Sequence, residues 1–109
     1  MVDARRASLV EVVLASGLVS RPVRHRSVEE IWYFLTGSGE VWLRSPDGSV
    51  DSIHAVEPGA TITIPTGWAF QFRALGEQPL RFLCYTSPPW PGDQEAVLIA
   101  DGGLGPTNL

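Results

Sequence analysis

Few side chains in this sequence are of the types that carry out acid–base, nucleophilic or metal chemistry. The chain has one cysteine and two histidines. Because Cys84 is the single cysteine, an internal disulfide and a multi-cysteine metal site are excluded, and the low cysteine content fits a reducing compartment. Its apolar neighbours Leu83 and Tyr85 predict a buried thiol rather than a nucleophile. His54 has polar neighbours on a weak strand and is predicted to face solvent, which leaves His25 as the candidate for chemistry.

His25 is predicted to point into an apolar interior. Side chains alternate between the two faces of a β-strand, so Val23 and His25 share one face and Arg24 takes the other. The same alternation places Phe70 and Phe72 together on the inner face of a later strand. We therefore expect His25 and Phe70 to face one interior.

The elements that position these residues are short strands at regular intervals. Gly and Pro, 11 and 9 of 109 residues, are spread along the chain, which excludes a helical bundle. Alternating, β-branched stretches separated by such turns are typical of a sandwich or barrel of antiparallel strands. We predict that the third and fourth strands pair as a hairpin around residues 36–39. The predicted strands are 9–14, 18–25, 30–35, 40–44, 50–56, 60–64, 68–74, 80–85 and 97–100.

Length and charge exclude several classes of function. A chain of 109 residues makes one domain. Eight arginines, no lysine and 12 acidic residues give a net charge of −4, so we expect no binding to nucleic acid or to a membrane. Residues 1–8, an expected N-terminal tail, lack the apolar region of a signal peptide, so we expect a cytoplasmic protein. Arginine- and alanine-rich, lysine-free usage is compatible with a bacterial source.

Two gapped motifs in this chain resemble those of the cupin superfamily. In residues 25–37, His25 matches the second histidine of the first motif, and Glu30 and Gly37 have the family's six-residue separation. In residues 59–74, Gly59 and the Pro65–Gly67 turn match the second motif in identity and spacing.

The resemblance implies an all-β fold, an antiparallel double-sheet jelly-roll barrel. We expect residues 9–101 to form a single cupin β-barrel domain. Residues 102–109 are expected to form a C-terminal tail with a loose end.

The metal-ligand positions of that family are only half preserved here. Carried over by position, the family's three histidines fall on Val23, His25 and Phe70, and its glutamate falls on Glu30; the motif asparagine falls on Ala74. A catalytic transition metal usually requires three protein ligands. We therefore expect no tightly bound metal and no other cofactor, and if a metal binds at all, His25 and Glu30 would hold it.

The resemblance also brings His25 and Glu30 close together, since both family positions face the same metal. Without a metal they could hydrogen-bond, with the carboxylate favouring imidazole protonation, and act as a general acid and base on a small molecule. Apolar and aromatic residues would line the ligand site around them. These residues are Val23, Trp32, Phe34, Trp68, Phe70 and Phe72.

Three functions remain open from the sequence. The first is a metal-independent isomerase, epimerase, cyclase or decarboxylase that uses His25 and Glu30. The second is a non-catalytic module that binds or senses a small organic ligand, and the third is a weakly metal-dependent cupin enzyme. Because the apolar strand 9–14 would invite pairing at a sheet edge, and many small cupins dimerise, we also expect a homodimer.

Overall fold

The computed structural model describes residues 2–109, which form ten β-strands. Within this range no helix has the length and hydrophobicity needed to cross a lipid bilayer. The first strand falls inside the tail predicted at residues 1–8, of which Met1 lies outside the described residues. The strands are β1 (Val2–Asp3), β2 (Ser8–Leu14), β3 (Val23–His25), β4 (Glu29–Thr36), β5 (Ser38–Arg44), β6 (Asp51–Val56), β7 (Thr61–Ile64), β8 (Ala69–Leu75), β9 (Leu80–Ser87) and β10 (Ala96–Leu98).

The strands build two antiparallel five-stranded sheets. The first sheet has the order β1-β2-β9-β4-β7 and the second has the order β10-β3-β8-β5-β6. Each sheet keeps its own edge strands, so the sheets are not closed into one barrel. The prediction of an all-β, antiparallel double-sheet jelly roll is confirmed.

The main hydrophobic core lies between the two sheets. Alternation in β4 turns Trp32 and Phe34 inward, and both side chains are almost completely buried. Phe82 of β9 stacks on Trp32 with ring centroids 4.4 Å apart. Because Trp32 and Phe82 also line the site described below, the core and the site share side chains.

The prediction that β4 and β5 pair as a hairpin is wrong, since the two strands belong to different sheets. The chain crosses between the sheets at Gly37, whose φ is +81°. A Cβ atom there would lie 2.3 Å from the carbonyl oxygen of Pro79, so the crossing requires glycine. A short connection containing glycine looks the same in sequence whether the chain folds back or changes sheet.

The C-terminal residues, predicted as a loose end, are packed on the outer face of the second sheet. Leu104 is buried there beside Trp42 and Ala69, in a second, smaller core. The buried Gln71 side chain accepts a hydrogen bond from the Leu104 amide at 2.9 Å and donates one to the Gly105 carbonyl at 2.7 Å. These hydrogen bonds fix the segment, and they are invisible in a local sequence pattern.

Candidate functional site

A cavity of about 220 Å³ lies between the two sheets, where β2, β4 and β9 of the first sheet face β3 and β8 of the second. Its lining is mostly apolar, and within residues 2–109 three lining side chains carry strongly polar groups, namely His25, Glu30 and Thr86. Such a cavity, apolar with a few convergent polar atoms, is typical of small-molecule sites. The lining residues are Val10, Val12, His25, Glu30, Trp32, Phe70, Phe72, Phe82, Cys84, Thr86 and Trp90.

Strand register brings one wall of the cavity together. In the first sheet, Val10 of β2 pairs with Cys84 of β9, which pairs with Trp32 of β4. The next inward row on β9 and β4 places Thr86 opposite Glu30. Alternation could have identified these β2 and β9 residues, because they repeat every second position in strands that the sequence does predict.

His25 lies at the end of β3 and is only 5% exposed. Its ring makes edge-on contacts with Phe70, at a centroid distance of 5.0 Å, and with Trp90, at 5.2 Å. Its Nδ1 atom is buried and has no hydrogen-bond partner among residues 2–109. An unpaired buried polar atom is costly, so Nδ1 is a candidate contact for a bound molecule.

Glu30, also 5% exposed, is held by two uncharged donors. The Trp32 indole N–H donates to Oε1 at 2.8 Å, and the Thr86 hydroxyl donates to Oε2 at 3.2 Å. His25 Nδ1 lies 3.6 Å from Oε2, close enough for an ionic contact but too far for a good hydrogen bond. The structure therefore places His25 and Glu30 side by side without a hydrogen bond between them.

Burial lowers the pKa of His25 below its ordinary value. The negative charges of Glu30 and Glu95 act in the opposite direction, but burial outweighs them. The sequence-based expectation that the carboxylate favours the protonated imidazole thus identifies a real effect that is not the dominant one. Near neutral pH the imidazole is uncharged, the form that can accept a proton.

Trp90 packs against His25 at one end of the cavity. Its amide N–H donates to the Ser8 hydroxyl at 3.1 Å, which ties the loop after β9 to the start of β2. The half-buried indole then lies against the imidazole edge. Trp90 is therefore a cavity residue.

Glu95 is a second buried carboxylate that sequence reasoning missed. It accepts hydrogen bonds from the Ser27 amide and hydroxyl, both at 2.6 Å, and from the Val28 amide at 3.0 Å. Burial works to raise the pKa of Glu95, but these hydrogen bonds outweigh it and hold the pKa below its ordinary value. Glu95 thereby fixes the loop between His25 and Glu30, and no local pattern signals this long-range role.

Cys84 is buried in the cavity wall, as its apolar neighbours predict. Burial raises the pKa of its thiol to about 12, and the nearby charge of Glu30 adds to the effect. A thiol with so high a pKa is a poor nucleophile near neutral pH. His54 is exposed and contacts the Ser52 hydroxyl at 2.9 Å, which is the predicted solvent-facing position.

The structure divides the predicted ligand-binding residues into two sets. Trp32, Phe70 and Phe72 line the cavity with His25 and Glu30. Three further residues pack in or against the main core and are not in the cavity lining, namely Val23, Phe34 and Trp68.

The residues present do not fit a divalent metal of the kind that the family positions imply. His25 and Glu30 supply two donors, while the Phe70 ring occupies the position of the third and offers none. Within residues 2–109 no group of three or more His, Cys, Asp and Glu side chains is placed to share a metal ion. This donor set falls short of the three protein ligands that catalytic metal sites usually have.

Comparison with known proteins identifies a family model, "Cupin domain", that matches residues 10–86. An uncharacterized protein of Methanocaldococcus jannaschii is 29% identical over 93 residues, covering 85% of this chain and 70% of that protein. A glucose-6-phosphate isomerase of Thermococcus gammatolerans is 37% identical over 54 residues. That match covers 50% of this chain and 28% of the isomerase.

Solved structures show the same fold at low sequence identity. Oxalate decarboxylase from Bacillus subtilis has a TM-score of 0.79 and 21% identity, covering 87% of this chain and 24% of that one. KdgF from Halomonas sp. has a TM-score of 0.68 and 23% identity, and the match covers 79% of this chain and 73% of KdgF. This chain thus spans about a quarter of the decarboxylase and a similar share of the isomerase.

Proposed function

We propose that this chain, which belongs to the cupin family, binds a small organic molecule in the cavity between its sheets and acts on it through His25 and Glu30 without a metal. The observation that carries the proposal is the unpartnered Nδ1 of His25, buried in an apolar cavity 3.6 Å from a carboxylate oxygen. A bound molecule that hydrogen-bonds to Nδ1 removes the cost of that orphaned atom.

The chemistry available to this pair is proton transfer. A neutral imidazole can take a proton from a bound molecule, and the adjacent carboxylate stabilises the imidazolium that forms. The apolar walls exclude water, which strengthens these charge interactions. Proton transfer of this kind is the core of isomerase, epimerase, cyclase and decarboxylase reactions.

The relatives support a reaction class without supplying a substrate. One similar protein is named as an isomerase and one similar structure is a decarboxylase. A sugar phosphate or oxalate is nevertheless a poor match for this cavity, because the described lining residues include an acidic side chain, Glu30, and no arginine. The substrate therefore differs from those that the relatives' names describe.

Ligand screening by NMR tests the binding part of the proposal. Fragments that bind wild-type protein should lose binding in Val12→Phe, which fills the cavity from β2. Val13→Phe is the matched control, because the Val13 side chain is next to Val12 in sequence but is 58% exposed on the opposite face of the same strand. If no fragment distinguishes the two variants, the cavity is not a ligand site.

Deuterium exchange tests the catalytic part. A fragment that binds should exchange a carbon-bound hydrogen with D₂O in wild-type protein, and His25→Gln or Glu30→Gln should abolish exchange while binding persists. Binding without exchange or product would favour the second candidate, a non-catalytic binding module, which the same cavity supports.

A further inference from the structure

Among the described residues, the cavity lining contains the carboxyl group of Glu30 and no lysine or arginine side chain to balance it. The chain has no lysine, and arginine is not represented among the described residues that line the cavity. The two donors to Glu30, an indole N–H and a hydroxyl, are both uncharged. A buried carboxylate that lacks a cationic partner is energetically costly, so a bound cation would be favoured there.

His25, the basic side chain beside Glu30 in the cavity lining, does not satisfy this carboxyl group. Its Nδ1 atom lies 3.6 Å from Oε2 of Glu30 and makes no hydrogen bond with any described residue. The carboxyl group is therefore left without a closely bonded basic partner.

Aromatic rings form most of the remaining wall. Trp32 is surrounded by Phe70, Phe72 and Phe82, with ring centroids 4.4–5.4 Å from its own. Trp90 adds a fifth ring beside His25. Aromatic faces attract cations, and the attraction is strongest where water is excluded. A cavity lined by a carboxyl group and by such rings resembles the sites that proteins use for alkylammonium groups.

We infer that the ligand of this cavity is a compact organic cation, an alkyl-substituted ammonium whose charge lies near Glu30 and whose alkyl groups contact the rings. The inference rests on the proposed function and specifies its substrate class. His25 then contacts the uncharged part of the ligand, such as a hydroxyl or an acidic C–H. Anions are excluded, because they would meet the charge of Glu30 without a compensating cation.

Three probes of one shape test this inference by calorimetry. Choline, 3,3-dimethylbutan-1-ol and 3,3-dimethylbutanoate share a branched head and differ in charge. We expect wild-type protein to bind choline about tenfold more tightly than the neutral alcohol, and the anion least tightly. Glu30→Gln should reduce the ratio of the choline and alcohol affinities to about one. Glu77→Gln, at an exposed position, should leave it unchanged.

The outcomes separate this inference from the proposed function. Absence of choline binding, or a neutral alcohol that binds as tightly as choline, overturns the cation inference. In that case the proposed function survives if Val12→Phe still removes binding of other fragments and Val13→Phe does not. If Val12→Phe leaves all binding intact, both the inference and the proposed function are wrong.

Discussion

His25 combines three properties at the residue scale: near-complete burial, an unpartnered Nδ1 and two neighbouring carboxylates. Each property alone also occurs in ordinary cores. Together, beside a cavity, they describe a group that is held uncharged and available for contact. The family positions predict the meeting of His25 and Glu30, but not the burial that sets the charge of the imidazole.

The lowered pKa of His25 predicts how stability depends on pH. Because the unfolded chain binds the proton more readily, the contribution of His25 to the free energy of unfolding is fully present above about pH 6.5 and decreases as the pH falls below it. The loss should not exceed about 1.4 kcal/mol per pH unit. Urea unfolding of wild type and His25→Gln between pH 7.5 and pH 5 measures this loss of stability.

Only the difference between these two proteins is informative, since other carboxylates also titrate at low pH. Wild type should lose more stability than His25→Gln over this range. Parallel curves would show that His25 has the same pKa in the folded and unfolded states.

At the element scale, the connection between β3 and β4 determines the distance between His25 and Glu30. Glu95 fixes this loop by accepting three hydrogen bonds. Replacing it by glutamine removes one acceptor oxygen and the charge, so Glu95→Gln should lower the free energy of unfolding by about 1–3 kcal/mol. Glu77→Gln is the control, and equal stability of the two variants would contradict this role.

The C-terminal segment is the other element with a role that local sequence conceals. Leu104 is 8% exposed against the second sheet, whereas Leu109 is 58% exposed. Leu104→Ala should therefore cost about 2–3 kcal/mol of stability, with Leu109→Ala near zero. Denaturant unfolding followed by tryptophan fluorescence measures this difference. A small effect at Leu104 would mean that the segment is as loose as its sequence predicts.

Sequence reasoning succeeded for elements whose signals are local. Alternation and Gly/Pro turns locate nine of the ten strands, and the inward direction of Phe70 follows from the same pattern. It failed where contacts join distant parts of the chain. Three features depend on partners that no sequence window contains. They are the change of sheet at Gly37, the hydrogen bonds that Glu95 accepts from the loop between β3 and β4, and the hydrogen bonds of Gln71.

At the scale of the whole molecule, the outer face of the first sheet predicts a homodimer. Leu9, Tyr85 and Ile31 form one cross-strand row, and all three are more than 40% exposed. Two charges on this face, those of Glu11 and Arg81, offset each other, and Glu29 is a further exposed acidic residue on it. A largely apolar face with so little charge can meet its own copy across a two-fold axis, so a second copy of this chain is the expected partner.

Light scattering after size exclusion tests the dimer. Wild type should have twice the mass of one chain, and Ile31→Glu should convert it to a monomer. Ile53→Glu is the matched control, because Ile53 is 49% exposed on the second sheet and Ile31 is 47% exposed on the first. A wild-type monomer, or a dimer that only Ile53→Glu disrupts, would contradict the proposed interface.

The central claim is that His25 and Glu30 serve an organic molecule rather than a metal ion. Elemental analysis of protein purified without chelator or affinity-tag metal, beside His25→Ala, tests it most directly. We predict metal at background in both proteins. Near-stoichiometric metal in wild type that is lost in His25→Ala would contradict the claim and favour a metal-dependent cupin enzyme.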